Sequence, residues 1–382
     1  MSPMPNNSLH VLHDAGVSIW LDFIDRAMLR NGDLQRRIRD DALVGMTSNP
    51  TIFEKALAEG TDYDDQIRSA PRDQTAMELF ELIATTDVRD AADGFKGVHE
   101  QTKGYDGFVS IEVSPAAAND ATATLAEVQR LWSTVGRPNV MVKIPGTVEG
   151  AKAVREATAA GVNVNITLLF SLEAYKRVID AYMAGLEDRL AQGKDISTIH
   201  SVASFFVSRV DTEIDKRLDA MIKSSPDKAK TLEPLKGKAA IANAKMAYQL
   251  FEAERASDRW KALEAHGATV QRPLWASTST KNPAYRDVMY IEELIGPDTV
   301  NTMPPQTIEA FRDHGVVKRT VDAGLDDAEQ LIQTLERNGV SMRDVTDKLL
   351  VDGLASFQKS FETLIAGLQK KTKALGKQLV AS

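Results

Sequence analysis

The chain has 382 residues, 43% of them hydrophobic and 26% charged, with 23 glycines and 14 prolines; this composition supports a sizeable core and excludes disordered, collagenous and low-complexity classes. A formal charge of -8 leaves no basic excess for holding a nucleic acid backbone. The absence of cysteine excludes disulfides, thiolate nucleophiles and zinc–thiolate sites and fits the reducing cytoplasm.

Residues 1–14 are polar and lack the basic-then-apolar order of a signal peptide. No later stretch stays uncharged for the ~18 residues that a membrane span needs. Short segments rich in β-branched residues recur instead, each followed by a turn and a longer stretch at helical spacing, a pattern that predicts βα units and a parallel sheet. Strands are predicted at 17–23, 43–48, 108–113, 140–144, 162–169, 201–207, 273–277 and 299–303.

Among the helices, 116–135 opens at Ser114-Pro115 with the serine as N-cap, and 149–160 stops at Gly161. Residues 211–266 exceed an ordinary crossover and read as a helical insertion, broken by the polar stretch 223–230. The tail from 349 places Leu349, Leu350, Leu354, Phe357, Phe361 and Leu364 at helical spacing. It is expected to be a packed C-terminal helix, frayed beyond Lys370, either covering the barrel mouth or docked on its side. No G-x-G-x-x-G follows any strand, so an open dinucleotide-binding sheet is disfavoured. The chain, 1–382, is read as α/β, a single (β/α)8 TIM barrel domain.

In such barrels the functional side chains lie at the C-terminal strand ends. Strand parity turns Lys143 inward with Met141, Glu112 inward between Ile111 and Val113, and Asp22 inward with Trp20. Asn163, Asn165 and Thr167 share the inner face of the fifth strand, and Asn49 ends the second. Inward charged groups are costly unless paired or used. One amine, two carboxylates, amides and a hydroxyl suit lysine imine chemistry, in which the protonated imine accepts electrons while a C–C bond breaks. Glu112 and Thr167 would serve imine formation, Asp22 would be the base, and Asn49 and Asn165 would hold the substrate hydroxyls. The six histidines are scattered, so neither metal nor cofactor is expected. Trp20 and Trp275 are read as packing, and the basic stretches 36–39 and 370–373 as solvated helix faces.

Ser-Ile-Trp-Leu-Asp ending at Asp22, Thr-Ser-Asn-Pro-Thr from Thr47, Ile-Glu-Val-Ser-Pro around Glu112, Val-Lys-Ile-Pro around Lys143 and Asn-Ile-Thr-Leu-Leu-Phe-Ser from Asn165 together resemble the transaldolase family. The similarity covers most of residues 17–211, thins across the helical segment and returns in outline at 276–303, in the manner of the longer bacterial type.

The resemblance implies a metal-independent transferase of the pentose phosphate pathway. It would move a dihydroxyacetone unit from sedoheptulose 7-phosphate or fructose 6-phosphate to glyceraldehyde 3-phosphate or erythrose 4-phosphate. Lys143 would form the Schiff base, Asp22 would be the acid/base, Glu112 and Thr167 would hold the catalytic water, and Asn49, Asn165 and Thr47 would contact the three-carbon unit. Ser204 and Arg209 would hold phosphate, although shorter relatives carry Pro and Gly where Phe205 and Ser208 stand here. Lys281 takes the place of a further arginine, a point charge instead of a fork. Sugar phosphates are thus the expected partners, with no nucleic acid and no membrane, and the sequence carries no signal of oligomeric state.

Three rival readings remain at this level: an aldolase releasing free dihydroxyacetone, a deoxyribose-phosphate-type aldolase, whose second lysine has no counterpart here, and a binding barrel in which Lys143 is unreactive.

Overall fold

A computed structural model describes residues 7–58, 60–71, 73–377 and 379–380. Eight parallel strands close into a barrel in sequence order. They are β1 Val17–Asp22, β2 Leu43–Thr47, β3 Phe108–Glu112, β4 Val140–Pro145, β5 Val164–Leu169, β6 Ser201–Phe206, β7 Gln271–Ala276 and β8 Thr299–Met303. All eight predicted strands are present, with ends displaced by at most two residues. β8 pairs with β1 from Val17↔Thr299 to Leu21↔Met303, which leaves no sheet edge open. The strands are buried along nearly their whole length because side chains fill one face and helices cover the other.

Trp20 is completely buried. It fits because β2 carries Gly45 opposite it, where an added Cβ would meet the indole Nε1 at 2.4 Å. Trp275 packs edge-on against Phe205, ring centroids 6.3 Å apart. Both are packing residues, as expected. At the N-terminal end of the barrel Arg272 donates to Ser18 Oγ at 2.7 Å and to Asp106 Oδ1 at 3.1 Å, so the charge buried there is paired.

Local signals placed several helices closely. Thr147 caps Val148–Ala160 through Gly150 N, and Gly161 ends that helix in the left-handed conformation. Elsewhere the structure corrects the reading. The stretch 116–135 is two elements: Ser114 caps only a 3-10 turn, Pro115–Ala117, and Asp120 caps the α-helix Ala121–Val135. The polar arm before β1 contains a helix, Ser8–Asp14, whose Leu9 and Leu12 are fully buried. Residues 1–6 of that arm lie outside the described residues.

The helical segment after β6 comprises Ser208–Ser224, Ala239–Arg255 and Asp258–Glu264. Its polar stretch is bridged by short turns anchored on buried Leu232 and Leu235. The C-terminal helix runs from Met342 to Ala374, starting earlier than predicted because Ser341 caps it through Asp344 N. It stays helical past Lys370.

Arg36, Arg39, Lys370 and Lys373 face solvent at least in part, as expected of the two basic stretches, but one charged residue in each turns inward. Arg37 is 8% exposed and lies among Asp33, Asp41 and Glu309. Lys371 donates to the Leu57 and Gly60 carbonyls at the end of helix Pro50–Ala58. Arg26 and Asp87 form a deeper pair, Nε to Oδ1 at 2.9 Å, with the Tyr63 hydroxyl on the other carboxylate oxygen. Asp87→Ala would strand a guanidinium that is 2% exposed. A loss of about 3–5 kcal/mol in urea unfolding is expected, and a variant within about 1 kcal/mol of the parent would show that the pair is dispensable. No helix among the described residues is long and apolar enough to cross a membrane.

Candidate active site

Strand register assembles the site. Glu112 on β3 stands opposite Lys143 on β4, and Lys143 opposite Asn165 on β5. Asp22 on β1 stands opposite Thr47 on β2. Lys143 Nζ lies 3.2 Å from Glu112 Oε2 and 3.1 Å from the Ser48 carbonyl, with only 6% of the residue exposed.

Burial raises the Glu112 pKa against the lowering effect of Lys143, and Asp22 adds to the rise. Burial likewise raises the Asp22 pKa, opposed by Lys143, Lys281 and Arg209 in that order. Each carboxylate is therefore a stronger proton acceptor than its exposed counterpart. Glu112 Oε1 and Thr167 Oγ1 are buried without a hydrogen-bond partner among the described residues, which marks them as polar groups reserved for something other than packing.

Thr167 stands at a break in the β5–β6 ladder, where the register shifts between Ile166 and Leu169 and Leu168 takes φ +60. Non-glycine backbone in this region costs of order 1–3 kcal/mol and persists only where its surroundings impose it. Here the Gly146 N–H donates to the Thr167 carbonyl at 2.7 Å. The C-terminal helix presses in as well, since a Cβ at Gly353 would lie 3.0 Å from the Leu168 side chain.

Above Lys143 opens a cavity of about 520 Å³ lined by Asp22, Thr47, Asn49, Thr167, Ser204, Arg209 and Lys281 among others. Asn49 accepts from Ile52 N at 3.0 Å, which starts helix Pro50–Ala58 and leaves its amide Nδ2 able to donate into the cavity. Asn165 sits one layer deeper, fully buried, donating to Ser110 Oγ at 3.0 Å and accepting from Ser204 Oγ at 2.7 Å. The Ser204 hydroxyl is thus committed to Asn165 even though the residue lines the cavity.

Arg209 stands in the first turn of helix Ser208–Ser224, which has no side-chain cap. Its guanidinium lies 5.2 Å above the Phe206 ring. Burial lowers the Arg209 pKa, and Asp22 and Glu112 raise it. Partial desolvation and then the like charge of Arg209 lower that of Lys281, whose ammonium donates to Ser279 Oγ at 3.0 Å.

The ten residues given a site role in the sequence converge on one end of the barrel, eight on the cavity wall and two, Glu112 and Asn165, immediately behind it; Asn163, also read as inward, precedes β5 and donates instead to the Pro138 and Val140 carbonyls. The sequence reading missed Ser110, which shares the parity of Glu112 two residues earlier and was legible on that ground. It also gave no site role to Lys55 and Gln306, which line the cavity from the helices that follow β2 and β8, or to Phe357, which reaches it from the C-terminal helix.

A lysine flanked by a carboxylate at the C-terminal end of a closed parallel barrel, under a cavity edged with cations, defines a barrel enzyme equipped for amine catalysis on anionic carbonyl compounds. The model of the transaldolase/fructose-6-phosphate aldolase family matches residues 19–368. The chain is 47% identical over 378 residues to a transaldolase of Trichodesmium erythraeum (strain IMS101), covering 97% of this chain and 99% of that protein. It is 50% identical over 359 residues to a transaldolase of Thermobifida fusca (strain YX), covering 94% and 96%. The chain belongs to the transaldolase/fructose-6-phosphate aldolase family.

Proposed function

We propose that Lys143 is the Schiff-base lysine of a transaldolase and that the groups around it divide the remaining proton and binding work. The enzyme is a transferase that carries a dihydroxyacetone unit between sugar phosphates of the pentose phosphate pathway, from sedoheptulose 7-phosphate or fructose 6-phosphate to glyceraldehyde 3-phosphate or erythrose 4-phosphate. The observation that carries the assignment is the Lys143 ammonium held between Glu112 Oε2 and the Ser48 carbonyl on the floor of the cavity.

Lys143 gives up a proton to Glu112, 3.2 Å away, and attacks the C2 carbonyl of the ketose, forming a carbinolamine. Loss of water yields the protonated imine, with the proton supplied through a water held between Glu112 and Thr167, whose unpartnered oxygens support that role. Asp22 then takes the C4 hydroxyl proton. The C3–C4 bond breaks, its electrons enter the imine to give an enamine, and the aldose phosphate departs. The acceptor aldehyde enters, the enamine carbon attacks it, Asp22 returns the proton, and hydrolysis frees the new ketose. Asn49 holds the hydroxyls of the three-carbon unit, with Thr47 beside it, while Asn165 supports the wall from behind through Ser204.

Arg209 and Lys281, both on the cavity wall, bind the phosphate. Borohydride trapping with fructose 6-phosphate and no acceptor tests the reading. A three-carbon adduct on the peptide containing Lys143 is expected; no adduct, or one on another lysine, refutes the assignment.

A further inference from the structure

Arg209 and Lys281 line one cavity and their like charges repel, so holding both at one phosphate needs contacts that fix their spacing. Two layers of contacts join the segments that bear them. The inner layer lies at the strand ends: Val207 N donates to Ala276 O at 2.9 Å and Ser208 N to Ser277 O at 3.0 Å, while the two serine hydroxyls are 2.9 Å apart. Ser277 adopts φ +57 to make these contacts.

The outer layer is made by two carboxylates one helical turn apart on helix Ser208–Ser224. Asp211 is 1% exposed and accepts from Ala240 N at 2.8 Å and from the Tyr290 hydroxyl at 2.8 Å. Asp215 accepts from Gly237 N at 3.0 Å and from the Tyr285 hydroxyl at 2.6 Å. Lys281 stands midway between the anchored positions 277 and 285.

Capping alone does not account for this arrangement. Helix Ala239–Arg255 has no cap from its own Lys238, but a serine or asparagine would satisfy the Ala240 N–H with a single acceptor oxygen. A carboxylate adds a second oxygen, and in both cases that oxygen goes to a tyrosine of the β7–β8 connection. The fit is close at Gly237, where a Cβ would meet the Tyr285 ring at 2.6 Å.

We propose that Asp211 and Asp215, through Tyr290 and Tyr285, are positioning residues that hold the Lys281 loop to the Arg209 helix and so tune the enzyme for phosphorylated substrates. This rests on the reading of Arg209 and Lys281 as the phosphate cations.

The test compares glyceraldehyde 3-phosphate with unphosphorylated D-glyceraldehyde as acceptor, at saturating fructose 6-phosphate, in Tyr285→Phe, Asp215→Asn, Arg209→Ala and Lys281→Ala. Tyr285→Phe and Asp215→Asn each raise KM for the phosphorylated acceptor about fivefold, with kcat and the KM for D-glyceraldehyde unchanged. An equal fall in kcat with both acceptors would reveal a merely structural role and overturn the proposal. Unchanged KM in Tyr285→Phe and Asp215→Asn, alongside a phosphate-specific rise in Arg209→Ala, would overturn it while leaving the cation reading intact. If neither Arg209→Ala nor Lys281→Ala alters the preference for phosphate, the cation reading fails and the proposal falls with it.

Discussion

Lys143→Met removes transaldolase activity by at least about 10⁴-fold, the scale on which deletions of a catalytic nucleophile fall, and leaves no borohydride-trapped adduct. Methionine keeps the length of the side chain but can form no imine. A variant that retains even one-tenth of the activity would exclude Lys143 as the nucleophile.

The same substitution carries a separate pH signature. Lys143 is the largest influence lowering the Glu112 pKa, against burial, which raises it. Without the ammonium, Glu112 holds its proton to higher pH in the folded than in the unfolded chain. The folded state then binds more protons than the unfolded state, so stability falls as pH rises from the unfolded value toward the elevated folded one. Relative to the parent, Lys143→Met is therefore expected to lose more stability at pH 8 than at pH 5 in urea unfolding. An equal loss at both pH values would show that Glu112 is already neutral beside the lysine.

Asp22→Asn separates imine formation from bond cleavage. Asparagine preserves size and polarity but cannot take the C4 hydroxyl proton, so transfer falls by about 10²–10⁴-fold while trapping on Lys143 persists. The adduct mass should change: the parent retains three carbons of fructose 6-phosphate, the variant all six. A three-carbon adduct in Asp22→Asn would place the cleavage base elsewhere. Asp22 must be ionised to act as base, and burial holds its pKa above the ordinary 3.8. Activity of the parent therefore falls as pH drops through that raised value, and the variant's residual rate lacks this acid limb. Replacing a partly buried carboxylate by its isosteric amide removes a desolvation cost, so the variant is expected to fold as well as the parent.

The strands and the inward parity of Asp22, Glu112 and Lys143 were legible because a strand's side-chain period of two needs no knowledge of its neighbours. Helix ends were legible where the stop is local, as at Gly161, and misread where two caps compete within a few residues, as at Ser114 and Asp120. Lys371 looked solvated because its partners, the carbonyls of Leu57 and Gly60, come from a remote segment, whereas Arg37 has local partners in Asp33 and Asp41 and owes only Glu309 to a remote one.

By itself, the order of residues determined the barrel, the lysine and its carboxylates, since each depends on short-range periodicity and on the expense of turning charge inward. Only the tertiary structure decided that Ser204 is bonded to Asn165, that Leu168 is forced to positive φ, that Phe357 reaches the cavity, and that two aspartate–tyrosine pairs brace the cationic rim. These contacts join segments from tens to more than three hundred residues apart, and closure of the barrel brings them together where no local pattern records them.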